Sequence, residues 1–446
     1  MYKFDLCILG GGPGGYEAAI EAAELGKKVA VIEKDNLGGT CLLRGCIPTK
    51  AYHHHASLLH QMEKENEKGI FNTKMEFSYN EIVKDKNRIV TELVDGIHGL
   101  FKKHDIEIYH GYGVIKNEHE IEVGNEVISF EHLIIATGSH PIVPNIKGNG
   151  LERVITSDEL LNLDELPKSL IIVGAGVIGL EFAGIMNQFG VKVTVIEALK
   201  NLLPMMDQTI VKRFKPLLKK QGIQTEFGCM VQEIEMESES KELKVVYKNK
   251  KGVEENSYAE YVLIAIGRGA NLDGYGLDEC SIEYTRKGIA TDEKFKTNID
   301  NIYAIGDVNG KYQLAHAATA QGKQVVHHLF GDKKFNLTLV PSPIFTLPEM
   351  ATVGKTEEAL KDENMDYKAF TQYYRANGKA KTLLEEDGIL KILVDVETDK
   401  ILGVHILGER SSDMIHIGSL AIASQMTMSE LQMQIFAHPT LSELYI

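Results

Sequence analysis

The feature that most constrains this chain is that it repeats itself. The stretch DLCILGGGPGGYEAAIEAAELGKKVAVIE, ending at Glu33, has a counterpart in SLIIVGAGVIGLEFAGIMNQFGVKVTVIE, ending at Glu197. Gly10, Gly12, Gly15, Gly26, Val29, Val31 and Glu33 recur, each 164 positions on, as Gly174, Gly176, Gly179, Gly190, Val193, Val195 and Glu197. Each copy is an apolar run, a glycine cluster, a helical stretch and a second apolar run that closes on glutamate. That order is the β-α-β unit of a dinucleotide-binding fold. Two such units imply two dinucleotides, one held permanently and one exchanged.

The spacing has a physical reason. The first glycine turns the chain tightly out of its strand, the second admits a pyrophosphate against bare backbone, and the third lets the helix pack close to the strand. The helix N-terminus then presents unpaired N–H groups and a partial positive charge to the phosphates. The terminal carboxylate accepts hydrogen bonds from a ribose diol and repels a 2′-phosphate, so Glu197 favours NAD over NADP. A lone GxGxxG is a weak signal; strand, helix, second strand and acid, all present twice, make a strong one.

At 446 residues the chain is too long for one simple core, and about three domains are expected. A formal net charge of -15 argues against a nucleic-acid partner held by phosphate neutralisation. No apolar run of about 18 residues is present, so no membrane span is expected. The start, Met-Tyr-Lys-Phe-Asp, passes directly into a strand pattern without a basic or apolar leader, and a cytoplasmic location is the expectation.

Five cysteines cannot form a disulfide framework by themselves. Cys7 sits in the apolar run Leu6-Cys7-Ile8-Leu9 and reads as an inert core residue. Cys41 and Cys46 form a close pair within Gly38-Gly39-Thr40-Cys41-Leu42-Leu43-Arg44-Gly45-Cys46-Ile47-Pro48-Thr49-Lys50. Their spacing is not that of a zinc knuckle, and no second pair completes four ligands, so no metal is expected. Neighbouring side chains in the run His53-His54-His55 point in different directions on a helix, which suits a solvated or packed face better than a metal site. Two readings of the cysteine pair stand at this point: two buried thiols, or a dithiol that cycles with a disulfide beside the first nucleotide.

The segment GGTCLLRGCIPTK resembles the active-site motif of the pyridine nucleotide–disulfide oxidoreductases. The resemblance continues through Ala136-Thr137-Gly138-Ser139 with Pro141 and Pro144, and through Ala265-Ile266-Gly267-Arg268 before Asn271. It extends to Ile302–Asp307, Leu314-Ala315-His316, Pro348-Glu349 and His438-Pro439-Thr440. It implies an α/β fold with two Rossmann-like domains, for FAD and NAD, and a C-terminal α+β dimerisation domain. The implied boundaries are FAD binding over 1–145, NAD binding over 146–268, a return to the flavin domain over 269–338, and dimerisation over 339–446.

The resemblance also implies roles. Cys41 is the interchange thiol, Cys46 lies nearest the flavin, and His438, oriented by Glu443, is the base acting on the cysteine pair of the other subunit. The FAD contacts fall on Gly10, Gly12, Gly15, Glu33, Thr40, Lys50, Gly113, Thr137, Gly138, Ser139, Asp307, Ala315 and His316. The NAD site takes Gly174, Gly176, Gly179, Glu181, Glu197, Val231 and Gly267, with Lys50 and Glu181 as an ion pair near the flavin N5.

Within the family, His438-Pro439-Thr440-Leu441-Ser442-Glu443 is similar to the form found in dihydrolipoamide dehydrogenases, with a glutathione-type reductase as the alternative. The implied partners are a second copy of the chain and a lipoyl-bearing protein of a 2-oxo-acid dehydrogenase complex or the glycine cleavage system. A pure docking component of such a complex is the rival reading, and it has no use for the cysteine pair or His438. Three departures stand out. Leu43-Arg44 replaces an Asn and a small apolar residue and is expected to set a cation beside the disulfide. Phe436 replaces a second histidine, and Phe345 replaces an interface tyrosine.

Overall fold

The structure is a computed structural model describing residues 2–72, 75–238 and 242–446. The chain forms two compact units. The first comprises Met1–Ala51, Asn80–Ile142 and Gly267–Leu337, and the second Tyr52–Tyr79, Val143–Ile266 and Thr338–Ile446.

In the first unit the strand Phe4–Leu9 is buried almost throughout, as a central parallel strand covered on both faces must be. It pairs in parallel with Val29–Glu33 on one side and Glu126–Ile135 on the other. Glu107–His110 extends the sheet beyond the former and Ile302–Ala304 beyond the latter, again in parallel. Alternate residues feed two cores. Leu6 and Ile8 join Ala18, Ala22, Val31 and Val325. Cys7 and Leu9 join Ile32, Phe130 and Leu133 on the opposite face. Burial pushes the Cys7 thiol up to about 12, so it packs as a hydrophobe, as its neighbours implied. The helices Pro13–Glu24 and Ala315–Phe330 meet through small residues: a Cβ on Gly322 would lie 2.6 Å from the Gly14 carbonyl oxygen.

The second unit holds the repeat. Ser169–Val173 pairs in parallel with Lys192–Glu197 and Tyr261–Ile264, and Gln224–Phe227 and Val154–Ile155 flank them. Met230–Met236, Leu243–Lys248 and Glu254–Ala259 form an antiparallel sheet of their own. The C-terminal part is a five-stranded antiparallel sheet ordered Ser342–Ile344, Met350–Gly354, Ile401–Leu407, Ile389–Asp395, Tyr367–Tyr373. The helix Ser411–Ala423 covers it, with Met414 and Ile415 entering the core beside Val404 and Ile406. The architecture is therefore α/β with two parallel nucleotide-type sheets and a C-terminal α+β region, as the repeat and its surroundings implied. No helix among the described residues is long and apolar enough to cross a membrane.

Candidate active site

The two copies of the repeat use their first and third glycines and their closing acids in the same way. Gly10 and Gly174 adopt φ of 110° and 109°, a region closed to side chains, and a Cβ there would strike the carbonyl oxygens of Ala136 and Ala265 at 2.3 and 2.4 Å. Gly15 and Gly179 sit against their own first glycines, whose carbonyl oxygens a Cβ would meet at 1.9 and 2.1 Å. The middle glycines differ in kind. A Cβ on Gly12 would find only the Gly39 Cα, at 3.9 Å, and one on Gly176 would find nothing within 4 Å. Bare backbone facing open space at the start of a helix is what a pyrophosphate requires, so the residues present fit a dinucleotide in both copies.

The closing acids are held alike. Glu33 accepts from Gly11 N at 2.7 Å and Asp35 N at 2.8 Å, and Glu197 accepts from Ala175 N and Leu199 N, both at 2.6 Å. Each carboxylate thus braces its glycine turn and retains lone pairs for a ribose diol. Burial raises the Glu33 carboxyl above its ordinary value against the opposing pull of the Gly11 amide, Lys34 and Arg44.

Left-handed turns at Gly38 and Gly39 lead into the short helix Gly39–Arg44. Cys41 is half-buried within it, and Cys46, exposed, opens the helix Cys46–Glu67. The two thiols contact each other. The hydrogen bond with Cys46 raises the Cys41 thiol most, burial raises it further, and the Lys50 cation opposes both. Two sulfur atoms in contact are placed to exchange a bond, as the cycling-dithiol reading requires. Arg44 corrects one expectation. Its side chain pairs with Asp35, so the cation acting on Cys41 is Lys50.

The turn Thr137-Gly138-Ser139 lies across the same unit. Gly138 has φ of 71°. Asp307, in the 3-10 turn Gly306–Asn309, accepts from the Ser139 hydroxyl at 2.5 Å. Burial raises the Asp307 carboxyl, with the Ser139 hydrogen bond and the Arg268 cation working the other way. Ala315 and His316 open the helix Ala315–Phe330, whose N-terminus carries no side-chain cap. Gly113 is buried at the head of Gly113–Asn117, and Gly267 has φ of 135°. Thr40, Cys41, Cys46, Lys50, Ser139 and Asp307 therefore share one unit with the first glycine turn.

In the second unit Glu181 is buried on the helix Val177–Gln188 and accepts from Phe345 N at 2.9 Å. Val231 packs against the core beneath the antiparallel sheet. His53 is buried, its ring edge-on to Phe345 at 6.0 Å, which is the packed-face reading of the histidine run.

His438 Nδ1 lies 2.9 Å from Glu443 Oε1. The other carboxylate oxygen accepts from Thr440 N at 2.8 Å, and these bonds hold the Glu443 carboxyl below its usual range, the Thr440 amide first and His438 next. An ionised carboxylate only accepts, so Nδ1 is the donor of this bond. The His438 side chain is 79 % exposed. Behind it the tail is fixed by Tyr445, fully buried, whose hydroxyl donates to Met414 O at 2.8 Å.

Sequence reasoning gave no role to Arg268, Asn271 or Tyr445. The first two stand in the quoted Ala-Ile-Gly-Arg motif and the residues after it. Asn271 fastens Thr137 by Nδ2 to its carbonyl at 2.8 Å and by accepting from its hydroxyl at 2.9 Å. A motif marks such residues without naming what they touch.

The chain is similar to known proteins along nearly its whole length. A dihydrolipoyl dehydrogenase of Bacillus subtilis (strain 168) is 41% identical over 457 residues, covering 99% of this chain and 96% of the relative. A mitochondrial dihydrolipoyl dehydrogenase of Pisum sativum is 37% identical, covering 98% and 89%. Among solved structures, the HOCl-induced flavoprotein disulfide reductase RclA from Escherichia coli is similar with a TM-score of 0.89 at 30% identity, covering 99% of this chain and 98% of that one. Residues 4–322 match the pyridine nucleotide-disulphide oxidoreductase family and residues 340–445 match its dimerisation domain, and the chain belongs to that family.

Proposed function

We propose that the protein is an FAD-dependent dihydrolipoyl dehydrogenase, oxidising protein-bound dihydrolipoamide to lipoamide and reducing NAD+ to NADH. The observation that carries the reading is the His438–Glu443 hydrogen bond at 2.9 Å, in a chain whose first unit also presents a contacting cysteine pair. Relatives of that name at 37–41% identity over nearly the full chain support it.

With Cys41 and Cys46 joined as a disulfide, His438 Nε2 takes a proton from a substrate thiol. The thiolate attacks Cys41 Sγ, forming a mixed disulfide and releasing Cys46 as a thiolate. The second substrate thiol then displaces Cys41, so lipoamide leaves with its new disulfide and the electron pair stays on the cysteines. Bound FAD supplies the acceptor for that pair and the hydride donor to NAD+. Two thiol protons are released and one hydride is transferred, so one proton appears in solution for each NADH formed.

Gly10, Gly12, Gly15, Glu33, Thr40, Gly113, Thr137, Gly138, Ser139, Asp307, Ala315 and His316 hold FAD. Gly174, Gly176, Gly179, Glu197, Val231 and Gly267 hold NAD. Lys50 and Glu181 pair beside the flavin. The dimerisation region makes the working form a homodimer, in which His438 serves the cysteine pair of the partner copy. The site of action is the cytoplasm, on a lipoyl-bearing protein. Purified yellow protein assayed with NAD+ and dihydrolipoamide forms NADH rapidly and shows little turnover of NADPH with oxidised glutathione. Silence in the first assay with FAD bound overturns the lipoamide reading.

A further inference from the structure

Arg268, which that chemistry leaves without a role, makes a fork of hydrogen bonds in the first unit. Arg268 opens the short strand Arg268–Ala270, which pairs antiparallel with Ser139–Pro141. Its Nε donates to Ser139 Oγ and its Nη2 to the Ser139 carbonyl, both at 2.8 Å. The same Nη2 faces Thr40 Oγ1 at 3.5 Å, the longest of the three contacts. Having accepted from Arg268, the Ser139 hydroxyl donates onward to Asp307 at 2.5 Å. From behind, Gln313 Nε2 donates to the Arg268 carbonyl at 3.0 Å.

Two chain segments far apart in sequence therefore meet at one guanidinium, and a third joins them through the Ser139 hydroxyl. Thr40 immediately precedes Cys41 in the dithiol helix, Ser139 closes the nucleotide turn, and Asp307 stands in the turn after Ile302–Ala304. A planar fork presents two N–H groups in fixed register to the two oxygens of Ser139 and turns a third contact outward. An ammonium on a flexible stem cannot hold all three at once.

We propose that Arg268 is a positioning residue of the redox site, tying the helix that bears Cys41 to the Ser139–Asp307 face and so setting how closely the dithiol meets the flavin. This rests on the reading of Cys41 and Cys46 as the dithiol beside FAD. A purely architectural arginine would affect stability and leave the spectrum of the folded, flavin-loaded protein as it was. A positioning arginine changes the spectrum, because overlap between a thiolate and the flavin ring falls steeply as the two move apart, and displacements of about 1 Å at such a site have large effects.

The test uses the FAD-loaded enzyme and the variants Arg268→Lys and Arg268→Gln. Each is reduced anaerobically by two electrons, and the long-wavelength thiolate–flavin absorbance is recorded per bound flavin. Wild type shows the full band. Both variants, which lose the planar fork, lose about half of it or more per bound flavin. If R268K does not fold, R268Q decides alone. A band of wild-type strength per bound flavin in the folded variant overturns the proposal. A wild type with bound FAD and no band overturns it together with the dithiol–flavin reading, so the two failures are told apart.

Discussion

Lys391 reaches both carboxylate oxygens of Asp207, at 2.8 and 3.0 Å, with neither side chain more than 2 % exposed. The ammonium also donates to Thr209 Oγ1 at 2.9 Å and Glu357 Oε2 at 2.6 Å. Asp207 in turn caps the helix Gln208–Lys220, accepting from Thr209 N at 2.9 Å. Within the second unit this network joins the strand Ile389–Asp395 to the helix Gln208–Lys220. Breaking such a pair strands a buried charge and costs about 3–5 kcal/mol. Lys391→Met lowers the thermal midpoint accordingly, and adding Asp207→Leu recovers part of the loss. A single variant as stable as wild type in a melting experiment would refute the account.

His405 borders the same network. Its Nε2 donates to Lys355 O at 3.0 Å and its Nδ1 accepts from Thr352 at 2.5 Å. Burial pushes the imidazole down to about 4, with the Asp207 charge opposing. Between pH 6.5 and 4 the unfolded chain therefore binds a proton that the folded one refuses. Folding stability from this group is present above pH 6.5 and is lost as the pH falls toward 4, by up to about 3 kcal/mol. His405→Gln flattens that limb in denaturant titrations across the pH range, and an unchanged slope counts against it.

Glu409 has the opposite sign. Burial and the charges of Glu385 and Glu349 push its carboxyl up to about 7. The folded state holds a proton there that the unfolded state has lost, so stability falls as pH rises from about 4.5 through 7. Glu409→Gln keeps the polar shape and removes the charge. It stabilises the protein by about 2 kcal/mol at pH 8 and changes little at pH 4. Equal effects at both pH values would show that the charge is not responsible.

Much of the fold and the site is legible in the sequence, and the boundary is physical. The repeat is readable because glycine spacing obeys backbone geometry: Gly10 and Gly174 need a left-handed φ, and Gly15 and Gly179 need a missing Cβ. The Cys41–Cys46 and His438–Glu443 pairs are readable because both partners lie close in sequence. Contacts made at long sequence separation are not. Arg268 meets Thr40 across 228 positions and Lys391 meets Asp207 across 184, and no local pattern records either. Arg44 misleads for a related reason. Adjacency to the cysteines suggests where its charge would act, but a flexible side chain follows the nearest carboxylate, here Asp35.

The tail chemistry allows a graded test. His438→Gln removes the base, and lipoamide turnover falls about 10²-fold or more. Glu443→Gln leaves the base and loses the ionised acceptor that fixes the proton on Nδ1, so the loss is smaller, about tenfold. Because the Thr440 amide also relies on Glu443, far-ultraviolet and melting measurements accompany the kinetics. A Glu443→Gln enzyme with undiminished turnover removes the carboxylate from the mechanism.

The second glycine turn separates binding from folding at two positions three residues apart. Gly176 has an extended backbone, φ of -75° and ψ of -173°, which alanine adopts freely, and its missing Cβ faces open space. Gly179 has no such room, since a methyl there lies 2.1 Å from the Gly174 oxygen. Gly176→Ala therefore folds with wild-type stability and intrudes only where a pyrophosphate approaches the backbone. Its KM for NAD rises about tenfold, equivalent to about 1.4 kcal/mol, while flavin content holds. Gly179→Ala must push the helix Val177–Gln188 off its strand and loses stability with or without nucleotide. Were Gly176→Ala to bind NAD normally, the nucleotide would have to lie elsewhere than on this turn.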